Sequence, residues 1–367
     1  MKLEVTQENL SKALNLVGRV AGSSRSSLPV LQNVLLKASG SQLSLSTTNL
    51  EIAMAIKIGA KVQKNGSITV PARLTQDFIS SLPTETVNLE LNGTQLRVFA
   101  ENYDSTINGV VADEFPSLPE LVASRKISIP ANIFKQTISQ VVLAASHDET
   151  RPVLTGVWLH THNKNLYMVA TDSYRLAEKI IMPCSDDISL LIPASTMQDA
   201  YRIISDDDDE IVVEFDDQQV LFKTGTVEVT SRLIDGNYPD YRQLIPKETP
   251  VSAKLNKNEL VNITKVSSLF AKESAGSIKL SINESDQSVG INSVASQVGE
   301  NKAITKGEVK GDLEVSLNSR YLIEALGVIN EEEVVLGCVN KTSPCIISPV
   351  NNKNKTDYMH IIMPLRS

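Results

Sequence analysis

Five consecutive acids, Asp206–Glu210, form the densest run in the chain of side chains able to bind metal or exchange protons. Clustered carboxylates that hold magnesium serve phosphoryl transfer, as in polymerases and nucleases, but such ligands must converge on one ion. Adjacent residues do not readily converge, and like charges repel one another into solvent, so the run reads as a hydrated loop. The four histidines, His147, His160, His162 and His360, stand in no metal-ligand spacing. His160 and His162 share one face of an expected strand, without a third partner that the sequence names. Cys184, Cys338 and Cys345 form no CxxC or Cys/His motif and read as small buried hydrophobes. No GxxxxGK(S/T) phosphate loop, GxSxG nucleophile elbow or HExxH zinc helix occurs. No catalytic residue, metal or cofactor is expected.

What the chain does contain is one pattern of elements used three times, a signal that ranks above any short motif. Amphipathic segments open each third: TQENLSKALNLVGRVA from Thr6, PANIFKQTISQVVLAA from Pro130 and NKNELVNITKVSSLFA from Asn256. Apolar residues recur at helical spacing: Leu10, Ala13, Leu14 and Val17; Phe134, Ile138, Val141, Val142 and Ala145; Leu260, Ile263, Val266 and Phe270. A second helix follows in each third, PARLTQDFISSLP from Pro71, PASTMQDAYRIIS from Pro193 and LNSRYLIEALGVI from Leu317. In two of them, proline is expected in the first helical turn. Corresponding helices lie 122 to 126 residues apart. Between them run period-two segments that read as strands and hairpins: QLSLSTTNLEIAMAIKI, TVNLELNGTQLRVFA, NLYMVATD, EIVVEFDDQQVLFKT and VEVTSRLI, with NGTQ and DDQQ as turns. Each third is therefore an α+β unit, its helices packed on one sheet face. Segments 117–128 and 246–254 read as linkers, which sets the expected domains at 1–122, 123–248 and 249–367.

A chain of 367 residues exceeds one core and suits two or three domains. Its composition, 41% hydrophobic and 21% charged, is that of an ordinary globular protein. No apolar run reaches the ~18 residues of a membrane helix, and MKLEVTQENL is no signal peptide. The expected place is the cytoplasm, with no membrane partner. A net charge of −8 argues against a tight nucleic-acid binder. The excess acid is confined to the middle third, with 19 acidic against 12 basic residues.

The helices' polar faces are milder than that total. Glu8, Lys12, Asn15 and Arg19 share a stripe of the first helix, and Lys135, Lys257, Lys265, Lys272, Arg73, Arg202 and Arg320 fall on the others, interleaved with Asp77, Asp199 and Glu324. Bulk water is the default partner of such faces. Six helices per chain could instead line a ring with sheets outside. Twelve, from two chains, at ~8–10 Å spacing give a circle roughly 30–38 Å across and about 20–28 Å clear, enough for a duplex about 20 Å wide. A mildly basic lining would let DNA slide, since each strong phosphate contact adds affinity. An acidic exterior would repel DNA from the wrong surface.

Several segments then point one way. LPVLQNVLL (28–36), VPAR (70–73), ATDSYRLA (170–177), LIDGNYPDYRQLIP (233–246) and IIMPLRS (361–367), in that order, make the chain resemble the beta subunit of bacterial DNA polymerase III, the sliding-clamp family. The resemblance runs from Met1 to Ser367. It implies three DNA-clamp domains per chain and a head-to-tail homodimer ring around double-stranded DNA. The implied partners are a clamp loader, the DNA polymerase III alpha subunit, and other polymerases and repair proteins carrying clamp-binding motifs. It also implies a peptide cleft at Leu154, Thr171, Tyr174, Arg175, Leu176, Pro239, Leu244, Ile361, Ile362, Met363, Pro364, Leu365 and Arg366, where an apolar groove with arginine and tyrosine suits a peptide anchor. DNA-facing residues would be Arg25 and Arg73 by match, with His147 and Arg151 nearby and Lys12, Arg19 and Arg202 on the helices. The dimer contact would use Leu269 and Phe270, with Ile107 as an apolar partner. The chain departs from the family pattern at Ser173, where many members have glycine, and at Tyr174, Gln243, Pro152, Val153 and Ser367. Two other classes remain open on the residues alone: a motif-free hydrolase, and a repeat-built scaffold that never meets DNA.

Overall fold

The computed structural model describes residues 1–23, 28–119, 121, 125–295, 299–350 and 357–365. The six expected helices form: α1 (Gln7–Ser23), α2 (Ala72–Ser81), α3 (Ala131–Val141), α4 (Ala194–Ile203), α5 (Lys257–Phe270) and α6 (Ser319–Gly327). All strand pairings among the described residues are antiparallel. Alpha and beta elements thus alternate in three similar rounds, an α+β fold with antiparallel sheets.

The chain packs as two compact units, Met1–Phe134 with Ser195–Leu233, and Lys135–Ala194 with Ile234–Ser367. The first unit holds a five-stranded sheet in the order Lys61–Lys64, Lys2–Thr6, Thr86–Asn92, Gln95–Ala100, Tyr103–Asn108. It also holds an eight-stranded sheet in which Val227–Arg232 pairs with Ile52–Gly59. The second unit holds a twelve-stranded sheet in which Arg175–Pro183 pairs with Tyr358–Ile362. Ladder hydrogen bonds therefore run from the first third into the middle third, and from the middle third into the last.

Local chemistry explains the boundaries. Gly93 takes the left-handed backbone of the NGTQ turn at φ 60°, where a Cβ would be strained. In DDQQ the Asp216 carboxylate accepts the Gln218 and Gln219 amides at 2.8 and 2.7 Å, closing an Asx turn. Asn256 and Asn318 cap α5 and α6 through their side-chain oxygens. Pro71 and Pro193 do not enter their helices as expected. Each ends a strand (Gly66–Pro71, Ser189–Pro193), where a residue without an N–H costs the ladder least, and the helix starts one residue later. Both expected linkers end inside strands, Arg125–Pro130 and Val251–Asn256; residues 120 and 122–124 lie outside the described ones. The acidic run lies largely in a turn, where Asp208 accepts the Ser205 amide at 2.7 Å.

The apolar faces of α1 and α3 are buried as their spacing implies, at Leu10, Ala13, Leu14 and Val17, and at Phe134, Ile138 and Val141. Helix α5 differs. Its inward stripe is Leu260, Thr264, Ser267 and Ala271, while Val266 is exposed and Ile263 half-buried. Spacing by fours and threes keeps an inward stripe aligned, whereas Leu260, Ile263 and Val266 rotate off it. The two hydroxyls enter without penalty because each is satisfied, Thr264 on the Leu260 carbonyl at 2.6 Å and Ser267 on Asn301 at 2.9 Å.

Candidate binding cleft

The second unit carries the site. Strands Asn165–Thr171 and Arg175–Pro183 form a hairpin whose turn is Asp172, Ser173 and Tyr174. One Asp172 oxygen accepts the Tyr174 and Arg175 amides, each at 2.9 Å. The Thr171 hydroxyl donates to the Arg175 carbonyl at 2.6 Å and accepts the Ser173 amide at 3.2 Å. This bracing holds Ser173 at φ 76°, where glycine would sit without strain, and it drives Tyr174 outward, 63% exposed.

Arg175 turns the other way and is 5% exposed. Its Nε donates to Asp172 at 3.0 Å, its Nη1 donates to Glu324 on α6, and its guanidinium lies 4.5 Å over the Tyr321 ring. Glu324 also accepts from Arg320 at 2.7 Å. Its carboxyl is held below the usual range: burial, the largest single influence, acts upward, and the two arginines together outweigh it. A buried cation between two carboxylates and an aromatic face is fixed in one rotamer.

A cleft of about 340 Å³ opens at this point, lined by Ala145, Ser146, His147, Asp148, Arg151, Leu154, Asp172, Tyr174, Arg175, Arg320 and Tyr321. Below the hairpin Leu176, Ile361, Val169 and Tyr241 form a buried cluster, with Trp158, Tyr238, Ile245 and Ile346 packed against it. A polar network adjoins it. The Tyr241 hydroxyl donates to Glu178, and His160 Nε2 lies 3.1 Å from the same hydroxyl. Burial raises the Glu178 pKa, and burial followed by the charge of Arg242 lowers that of His160 to about 4.

The chain end closes the site. Tyr358–Ile362 pairs with Arg175–Lys179, the Met363 amide donates to the Tyr174 carbonyl at 2.8 Å, and the Leu365 amide donates to the Ser316 carbonyl at 2.8 Å.

The expected cleft residues thus separate into groups. Leu154, Tyr174 and Arg175 line the opening. Thr171 braces the turn. Leu176, Ile361 and Ile362 are at most 2% exposed and act as core, Leu176 and Ile361 through their packing with Val169 and Tyr241. Pro239 and Leu244 are exposed, and Met363, Pro364 and Leu365 half-buried. Arg366 lies outside the described residues, as does Arg25. His147 and Arg151, expected to face DNA, line this cleft, brought there by the loop that follows α3. Lys12, Arg19 and Arg73 are exposed on α1 and α2, and Arg202 on α4 is partly exposed. Leu269 is 61% exposed on α5 and Phe270 half-buried. Ile107 does not fit its role: on the strand Tyr103–Asn108 it points inward and is 5% exposed.

Asp172, Arg320, Tyr321 and Glu324 join the site without having been assigned to it. Asp172 could have been found from its place three residues before Arg175 in a tight turn. The α6 residues lie about 150 positions away, and only the Arg320–Glu324 spacing marks them. Among the described residues no three His, Cys, Asp or Glu side chains gather as a metal site, and no helix is long and apolar enough to cross a membrane.

A cleft lined by fixed polar groups, on a threefold α+β scaffold, defines a binding protein of the DNA-clamp class. Family models for the N-terminal, central and C-terminal domains of the DNA polymerase III beta subunit match residues 1–119, 128–240 and 242–366. The beta sliding clamp of Synechococcus elongatus is 32% identical over 376 residues, covering 100% of this chain and 99% of that protein. That of Bacillus subtilis is 30% identical over 382 residues, covering all of both. A Pseudomonas aeruginosa sliding clamp, solved with griselimycin bound, superposes with a TM-score of 0.94 at 28% identity over the full length of both chains. The chain belongs to the DNA polymerase III beta-subunit family, the beta sliding clamps. Its function is that of a sliding clamp, a processivity factor with no catalytic centre of its own.

Proposed function

We propose that two copies of the chain, each of three clamp domains (1–122, 123–248 and 249–367), join head to tail into a ring around duplex DNA. The observation that carries the ring is a pair of open sheet edges. Tyr103–Asn108 ends the five-stranded sheet. In the second unit, the long strand Gly299–Lys310 has its second neighbour, Val251–Asn256, only from Gly307 onward. Exposed apolar side chains lie on that strand and on α5: Ile304 is 55% exposed and Leu269 61%. Unpaired edges invite another strand, and a second copy would cover both. Leu269 and Phe270 belong to this contact; Ile107 would supply backbone only.

The duplex would meet Lys12, Arg19, Arg73 and Arg202, with Arg25 as a further contact. The charge of three of them is damped: Lys12 pairs with Glu8 at 2.7 Å, Arg202 with Asp199 at 2.9 Å, and Arg73 approaches Asp77 at 4.0 Å. Such pairs favour sliding over gripping. The cleft would take clamp-binding motifs of the DNA polymerase III alpha subunit, the clamp loader, and other polymerases and repair proteins, in the cytoplasm. Leu154, Tyr174, Arg175, His147 and Arg151 would touch the peptide, and the tail Met363–Arg366 would border it.

Topology tests the ring. Loaded by a clamp loader onto nicked circular DNA, the protein is expected to stay, and to leave when the circle is cut. Equal retention on circular and linear DNA would overturn the ring. Arg175→Ala and removal of Met363–Ser367 test the cleft, each being expected to weaken a fluorescent clamp-binding peptide at least tenfold. Unchanged affinity in both would remove the cleft assignment.

A further inference from the structure

We propose that Cys338 and Cys345 are a redox-modification site that closes to a reversible intramolecular disulfide. The two free thiols end facing strands, Glu333–Cys338 and Cys345–Pro349, and their sulfurs lie 2.7 Å apart. The ladder runs Leu336 to Ile347 and Gly337 to Ile346, so the cysteines hold the next position of one register. Directly opposed residues of antiparallel strands lie about 4.5–5.5 Å apart at Cα, within the roughly 4.4–6.8 Å that a disulfide spans. Closure therefore needs side-chain rotation and little backbone movement.

The bond forms by exchange with a low-molecular-weight disulfide. One cysteine thiolate attacks, releasing one small thiol and leaving a mixed disulfide. The second thiolate displaces the other small thiol. The protein loses two protons and two electrons, and one oxidant molecule becomes two thiols. Both cysteines are fully buried. The Cys345 sulfur beside it, then burial, keep the Cys338 thiol protonated, so exchange needs a local opening. The exposed turn between the strands supplies one, being held by three hydrogen bonds to a single Asn340 oxygen, from the Thr342 amide and hydroxyl and the Ser343 amide. In a reducing compartment the pair stays as thiols and closes under oxidative load.

The position gives the bond a consequence. Cys345 is paired on its other side with Ile362, in the strand that runs on into Met363. A bond there clasps together the strands behind the chain end. Closure of the pair requires neither the ring nor a ligand in the cleft.

The full chain is reduced, then either kept folded or refolded from urea in buffers of rising oxidised glutathione, so that burial cannot mask the pair in the second arm. The expected result is loss of two hydrogens by intact mass, a Cys338–Cys345 linked fragment after proteolysis, and a fall from three titratable thiols to one, all reversed by dithiothreitol. Cys338→Ser and Cys345→Ser are expected to lose no hydrogens and at most to carry a glutathione adduct. The oxidised protein is expected to melt above the reduced one. Three free thiols after refolding in the most oxidising buffer would overturn the site, as would a linkage through Cys184. An unchanged or lower melting temperature would overturn the clasp.

Discussion

Ser173 sits at φ 76°, in a region where a side chain costs about 1–2 kcal/mol, yet the turn leaves it no alternative, because Asp172 and Thr171 bind the flanking amides. Ser173→Gly should relieve that strain at some entropic cost in the unfolded chain, for a net gain of roughly 0.5–1 kcal/mol. The lost contact with Arg151, at 3.4 Å, is too long to reverse the sign. Urea unfolding reads the gain, and a loss of stability would show that the hydroxyl matters more than the backbone. This residue was legible in the sequence as a departure from glycine, although the strain that makes the departure matter required the backbone angle.

His160 and His360 supply a second residue-scale prediction. Burial is the first cause in both, lowering them from 6.5 to about 4 and about 3. In that interval the folded state binds fewer protons than the unfolded one. Their stabilisation is therefore complete above pH 6.5 and is lost as the pH falls, at about 1.4 kcal/mol per histidine per pH unit. Glu178 acts oppositely, since its raised pKa stabilises in acid and fades as the pH rises through it. Unfolding free energies between pH 6.5 and 5 should fall steeply, and His160→Gln or His360→Gln should each flatten the slope by about one proton. Unchanged slopes in both variants would place the acid sensitivity elsewhere. The sequence marked these histidines as lacking a metal motif; it carried no signal of their burial, which comes from tertiary contacts such as that of His160 with Tyr241.

At the scale of elements, helix spacing located the starts of all six helices within a residue or two, because apolar periodicity is a local property, although the segment from Pro130 ran four residues past the end of α3. It failed on the inward face of α5, where Thr264 and Ser267 displace larger apolar residues by satisfying their hydroxyls internally. The exposed face of α5 is informative. Val266 and Leu269, left exposed, make an apolar stripe that a monomer has no reason to keep. Leu269→Asp should leave the fold intact, since the side chain is already 61% exposed, and should break the proposed dimer. Burying a leucine is worth about 1.5–3 kcal/mol, and a head-to-tail pair has two such contacts, so dimerisation should weaken by at least a hundredfold. Sedimentation at graded concentration measures this. A dimer of unaltered strength would mean that α5 faces solvent in the assembly. The cleft was legible as far as one hairpin carries it: Thr171, Tyr174 and Arg175 stand together in ATDSYRLA. Tyr321 and Glu324 were not, because tertiary pairing alone brings α6 to Arg175.

For the whole molecule, the acidic balance and the damped basic stripe become consistent only if topology holds the DNA. With a net charge of −8 and Lys12, Arg73 and Arg202 each close to an acid, direct affinity for phosphate is small. A protein held by six to ten phosphate contacts loses about 10³–10⁵ in affinity between roughly 50 and 200 mM salt. A closed ring has no such loss, since escape requires the dimer contact to open, and a contact built on Leu269, Val266 and Ile304 is apolar and not weakened by salt. The half-life on a nicked circle should therefore change less than about threefold over that range, while binding to short linear duplex stays weak throughout. Arg73→Ala with Arg202→Ala should leave the half-life on the circle unaltered and change the sliding rate. A half-life on the circle that falls steeply with salt would show that charge holds the duplex, and enclosure would then not be the device by which this chain stays on DNA.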